Sequence, residues 1–168
     1  MVIISFDQAT INTALSVWVN GKLITYDKIT ADKTIKDYRR SLEMVDLMME
    51  KVYEYKPDMI ILEDTFLSKN TKTFGMLSCL RGMTIERFTQ EGYQFEIVAP
   101  KTWKTFSKTN KGKRPEQKKL SIELAEKTFG IDLTISNKRT VKKDDDIADS
   151  INMGCWAVNK YEGINLYE

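Results

Sequence analysis

The sequence predicts an α/β protein: a five-stranded mixed sheet, antiparallel hairpin first and parallel strands after, flanked by helices. Three observations predict it. Short apolar runs bounded by polar residues, Val2-Ile3-Ile4-Ser5-Phe6 and Met59-Ile60-Ile61-Leu62, suit strands buried on both faces. An amphipathic helical stripe lies between those runs, and strand, helix and strand in that order make a crossover unit whose strands pair in parallel. Asn20-Gly21 separates two further strand-like segments, the strongest short-range signal for a tight hairpin turn.

The elements follow in order. Residues 2–7 form the first strand, and 13–19 and 22–30 form the hairpin arms. Ile35, Tyr38, Leu42, Val45, Met49 and Val52 recur at spacings of three and four and make one helical stripe. Pro57 ends that helix, and the next strand closes on Glu63. The polar stretch 67–72 precedes a helix over about 73–90; Gly92 breaks it, and Tyr93 to Val98 reads as a fifth strand. Pro100 opens a looser, basic segment. Pro115 suits the first turn of a helix running to about Phe129, where Gly130 stops it. After a loop, the last helix runs from about Asp144 to Lys160.

A chain of 168 residues with 42% hydrophobic composition fits one domain, 1–168, with a sizeable core. A net charge of +2 says little about partners. No apolar stretch is long enough to span a bilayer, and the opening lacks a basic segment followed by a long apolar core, so a cytoplasmic protein is expected. Cys79 and Cys155 lie far apart in apolar helical context, without metal-ligand spacing, and read as buried free thiols. The chain has no histidine. That excludes a histidine triad, a histidine-ligated zinc site and a histidine general base.

Acids close the two key strands. Asp7 ends the first and Glu63 the fourth; if these strands are parallel neighbours, the two carboxylates sit about 5 Å apart. Charges that close repel unless a cation lies between them, and oxygen-only ligands favour a hard cation such as Mg²⁺ or Mn²⁺. Asp144-Asp145-Asp146 and Asp149 open the last helix. Asp146 and Asp149, three apart, face the same way. Taken singly, Asp7 could make an Asx turn and the aspartate run could cap a helix. Glu63, ending an unbroken apolar run, needs a partner. The conjunction points to metal-assisted chemistry.

These residues resemble the RuvC-type Holliday junction resolvases of the RNase H-like superfamily over most of the chain. The resemblance is carried by Lys56-Pro-Asp-Met-Ile-Ile-Leu-Glu63-Asp-Thr-Phe66-Leu-Ser-Lys69-Asn70, by Leu80-Arg81-Gly82, by Ala99-Pro-Lys-Thr-Trp103, and by Asp146-Ile-Ala-Asp149-Ser-Ile. It implies an RNase H-like fold and a metal-dependent endonuclease that resolves four-way junctions by paired nicks with 5′-phosphate products. It further implies that Asp7, Glu63, Asp146 and Asp149 hold two Mg²⁺ ions, with Mn²⁺ as a substitute, and that the protein is a homodimer. Asp145 is four residues before Asp149 and could replace Asp146; the family spacing of three favours Asp146. Where the family usually has glycines beside its first aspartate, this chain has Ser5 and Ala9. The family has cellular and viral branches, and the small size and divergent first turn fit a phage-type member in a host cytoplasm.

A basic stretch supports a nucleic-acid substrate. Lys101, Lys104, Lys108, Lys111, Lys113, Arg114, Lys118 and Lys119 stand against one acid, Glu116, with Trp103 and Phe106 interleaved. Such residues give salt-dependent, largely sequence-blind phosphate affinity, although a solvated loop has the same composition. Lys138, Arg139, Lys142 and Lys143 form a second basic cluster. By resemblance, Lys118 contacts the scissile phosphate and Phe66 stands at the junction centre; Phe66 could equally cap the core. Lys69 and Arg81 complete the expected DNA contacts, and Met76, Leu77, Leu80 and Met83 read as core or interface. Three rival readings stand beside this one: another RNase H-like nuclease acting on hybrids or pre-rRNA, an actin-like nucleotide-binding domain, and a junction-binding protein without catalysis.

Overall fold

Alternate residues of the first strand face different layers. In the computed structural model, which describes residues 1–65, 70–136 and 141–168, β1 spans Val2–Asp7. Ile4 and Phe6 enter one core cluster and Ile3 the opposite one, the period-2 consequence of a pleated backbone. The hairpin β2 (Asn12–Val19) and β3 (Lys22–Thr30) pairs antiparallel, and β2 also pairs antiparallel with β1. Asn20 and Gly21 both have positive φ, 49° and 73°, the backbone that a two-residue type I′ turn demands.

β1 then pairs in parallel with β4 (Met59–Glu63), and β4 in parallel with β5 (Phe95–Val98), giving the order β3-β2-β1-β4-β5. The expected five-stranded mixed sheet is the one observed. The crossover helix α1 covers Tyr38–Tyr55 and ends at a left-handed Lys56, ahead of Pro57; Ile35 of the predicted stripe precedes it. Helix α2 covers Thr71–Gln90, with the Asn70 side chain accepting from the Thr73 N–H. These two helices bury Met44, Met48, Val52, Leu80 and Phe88 against one face of the sheet.

The other face carries α3 (Pro100–Phe106), α4 (Arg114–Phe129) and α5 (Asp145–Glu162). Two elements differ from expectation. The segment after Pro100 is a short helix, because proline at its first turn pre-sets φ and Trp103 buries completely against the sheet. The loop before α5 contains a small hairpin, β6 (Thr134–Ser136) with β7 (Val141–Lys143), too short to leave a periodic signal.

α5 approaches the sheet closely. A Cβ on Gly154 would lie 2.0 Å from Trp18 Nε1, so only glycine permits this approach. Beneath it, the hydroxyls of Ser5 and Ser16 lie 2.6 Å apart, and both reach the carbonyl oxygen of Ser150, at 2.8 and 3.0 Å. Trp18 Nε1 donates to Ser16 Oγ at 2.9 Å. Buried polar groups need such partners, and here they fix α5 over β1 and β2. The departure at Ser5, where the resembled family has glycine, thus serves the docking of α5. Among the described residues, no helix is long and apolar enough to cross a membrane.

Candidate metal centre and nucleic-acid interface

Strand register brings the first two acids together. Ser5 pairs with Ile61 and Phe6 with Leu62, so the next step along both strands sets Asp7 beside Glu63. Both lie on the pleat face that carries Ile3, Ser5 and Ile61, the face covered by α5. Asp149, one turn into α5, completes the group. Asp7, Glu63, Asp145, Asp146 and Asp149 line one cavity of about 610 Å³, with Gln8, Lys104, Arg114, Gln117 and Lys118 around it. All four predicted acids are gathered in one place, and Asp145 is with them. Asp144 is not: its side chain accepts from the Ile147 N–H at 3.2 Å and caps α5. Helix capping is therefore the role of that one member of the aspartate run.

The acids strain one another. Burial, then Glu63, Asp149 and Asp146 in turn, push the Asp7 carboxyl well above its usual range, with Lys104 opposing. Burial and Asp149 raise Glu63 to about 7, against the lowering pull of Lys104, of the Trp103 N–H and of a hydrogen bond with Asp7. Burial raises Asp149 too, while Lys104 and Ser121 lower it. Carboxylates that resist ionisation together are the setting a divalent cation relieves. The oxygen-only donor set fits a hard ion, and the cavity has room for one.

Lysines meanwhile hold the acids. Lys104 Nζ is 3.5 Å from Asp149 Oδ2, Lys28 Nζ is 2.8 Å from Asp146 Oδ2 and 2.6 Å from Asp144 Oδ1, and Lys118 pairs with Asp145. With the side chains so set, no three acids among the described residues form a ready-made ligand cage. Two further bonds orient the acids from behind. Trp103 Nε1 donates to Glu63 Oε1 at 3.0 Å. Ser121 Oγ donates to Asp149, and Ser121 accepts from Asn152 Nδ2, whose own amide oxygen accepts from Tyr167. Sequence reasoning missed Lys28, Ser121 and the role of Trp103. A lone lysine on a strand or a serine on a helix leaves no local signal.

The basic residues divide. Lys104, Arg114 and Lys118 line the acid cavity. Lys111 and Lys113 are exposed at the start of α4. Lys108 faces a separate cleft with Phe106, Leu120, Leu124 and Tyr167. Arg81 pairs with Asp64 at 2.8 Å and reaches Thr65 at 3.4 Å, outside the acid cavity. Lys143 pairs with Glu126 and Asp132, whereas Lys142 is exposed. Phe66 and Lys69, like Lys138 and Arg139, lie outside the described residues. The interleaved aromatics are not available for base stacking as set: Trp103 is fully buried, and Phe106 packs against Tyr167 with ring centres 5.5 Å apart. On α2, Leu80 is core and Met83 packs on it, while Leu77 reaches the acid cavity.

No protein-family model matches the chain. It is 25% identical to a crossover junction endodeoxyribonuclease RuvC of Dictyoglomus turgidum over 167 residues, 97% of this chain and 99% of that protein. Among solved structures it superposes on T. thermophilus RuvC in complex with a Holliday junction substrate. That match has a TM-score of 0.70 and 12% identity and covers 95% of this chain and 96% of the other. A Fowlpox virus resolvase, solved with its Holliday junction substrate, gives a TM-score of 0.59 and 25% identity over 95% and 98% of the two chains. In sequence over nearly its whole length, and in its RNase H-like fold, the chain resembles the RuvC-type resolvases.

Proposed function

We propose that this protein is a metal-dependent endonuclease that cuts four-way DNA junctions by paired nicks. One observation carries the reading: Asp7, Glu63, Asp146 and Asp149 converge on a single cavity rimmed by Lys104, Arg114 and Lys118. A protein that only bound DNA would gain nothing from gathering negative charge there. The likeness to RuvC-type resolvases supports the choice of substrate.

The acids would hold Mg²⁺ or Mn²⁺, two per site, with Asp7 and Glu63 from the strand ends and Asp149 with Asp146 from α5. Ions in such a site ease ionisation of a water for in-line attack and offset charge on the departing oxygen. The chain's own residues supply the rest. Lys104 and Lys118 stand at the cavity wall, where an entering phosphate competes with Asp149 and Asp145 for their ammonium groups. Exposed Lys111 and Lys113 would meet the backbone further out. A two-fold homodimer would present two such sites to the two equivalent strands of a junction. Two free thiols accord with a cytoplasmic setting.

The deciding test is a labelled mobile four-way junction offered beside duplex, flap and Y-shaped DNA and an RNA–DNA hybrid, with Mg²⁺ or Mn²⁺. Paired nicks in the junction with 5′-phosphate ends are expected. Preferential cleavage of the hybrid would replace the reading with another RNase H-like nuclease, and no cleavage of any substrate would end it.

A further inference from the structure

Helix α3 is short and sits directly after β5, yet it delivers the largest buried side chain on the α5 face apart from Trp18. Trp103 is fully buried, and its one polar atom is spent on a single acceptor, Glu63 Oε1, at 3.0 Å. Indole is a donor without an acceptor lone pair, so it cannot shuttle a proton or bind a cation through nitrogen. It can only hold a carboxylate. We infer that Trp103 is a positioning residue that clasps Glu63 Oε1 and leaves Oε2 as the oxygen directed at a divalent cation. This rests on the metal-centre reading of the acid cavity.

Three features of the site support it. Glu63 ends a strand, and its side chain is held there by hydrogen bonds with Trp103 and Asp7. Among the described residues, no lysine or arginine forms an ion pair with Glu63, in contrast with Asp145, Asp146 and Asp149. The indole is fully buried in the core cluster that the sheet and α5 share, where close packing restricts its rotamer and with it the direction of the N–H. A partner that fixes a ligand's orientation from behind is commonly worth ten- to a hundredfold in metal affinity.

The test measures Mn²⁺ binding to the intact protein by calorimetry in wild type, Trp103→Phe, Phe88→Leu and Glu63→Gln. Phe88→Leu is the control for lost aromatic packing: Phe88 is equally buried, but on the opposite face of the sheet, against Tyr93 and Phe95. Trp103→Phe is expected to weaken Mn²⁺ binding about tenfold, whereas Phe88→Leu lowers the thermal midpoint but leaves Mn²⁺ affinity unchanged. With junction DNA, Trp103→Phe should lower kcat at constant KM. Equal Mn²⁺ affinity in Trp103→Phe and wild type, or an equal loss in Phe88→Leu, overturns the inference while the metal centre stands. Absence of Mn²⁺ binding by wild type, or full affinity in Glu63→Gln, overturns the metal-centre reading itself.

Discussion

The Ser5 hydroxyl lies 2.8 Å from the carbonyl oxygen of Ser150, and that hydrogen bond ties the strand bearing Asp7 to the helix bearing Asp149. Each acid is within two residues of its anchor. Asp7 follows Ser5 along β1 on the same pleat face, and Asp149 immediately precedes Ser150 on α5. Packing of the core and placement of the acids are therefore one problem.

Gly154 should be the least tolerant position where α5 meets the sheet. A methyl group there meets Trp18 Nε1 at 2.0 Å and must push α5 outward, at a cost of about 1–3 kcal/mol. Gly154→Ala is expected to lower stability by that amount in urea and to weaken metal binding as Asp149 moves off. Ser5→Ala, which keeps the Ser16 hydrogen bond to Ser150, should cost only about 1 kcal/mol.

Glu63→Gln should remove cleavage, by about 10³-fold or more, while junction binding in Ca²⁺ is retained. The same change should stabilise the metal-free protein at neutral pH, since it deletes one of several repelling carboxylates. Thermal melts of the two proteins without metal would test this, and a lower midpoint for the variant would contradict it.

Raised acid pKa values set the sign of the pH dependence. The folded state keeps the Glu63 proton up to about 7, whereas the unperturbed group loses it near 4.5. Between those values the folded state binds more protons, so the contribution of Glu63 to the stability of the metal-free protein falls as pH rises through that window. A divalent cation binds the ionised form. Mg²⁺ should therefore raise the melting midpoint by several degrees at pH 8 and scarcely at all at pH 5.

Neutralising Lys111, Lys113 and Lys118 together should weaken junction binding and flatten its salt dependence, by up to about 0.9 in log–log slope for each phosphate no longer neutralised. Binding measured across a range of salt concentrations would reveal this. An unchanged slope would remove the α4 start from the interface.

The two thiols should differ in reactivity. Cys155 is fully buried, as expected, and burial pushes its thiol to about 12, while Cys79, also expected to be buried, is partly exposed on α2. Iodoacetamide at pH 8 is expected to label Cys79 alone until the protein is denatured.

Local patterns in the sequence were enough for the sheet and for helices α1, α2, α4 and α5, because strand and helix periodicities and helix-end signals are written into neighbouring residues. They were enough as well for Asp7 and Glu63, which stand at the ends of apolar runs, and for the acids that open α5. Neither the α3 helix nor the β6–β7 hairpin spans enough residues to show a period. The partners of the acids belong to the tertiary structure alone. Trp103 meets Glu63 across 40 residues of chain, and Lys28 meets Asp146 across 118. Such pairings depend on how α3, α5 and the edge strand β3 close over the strand ends, and no spacing within a single segment encodes that closure.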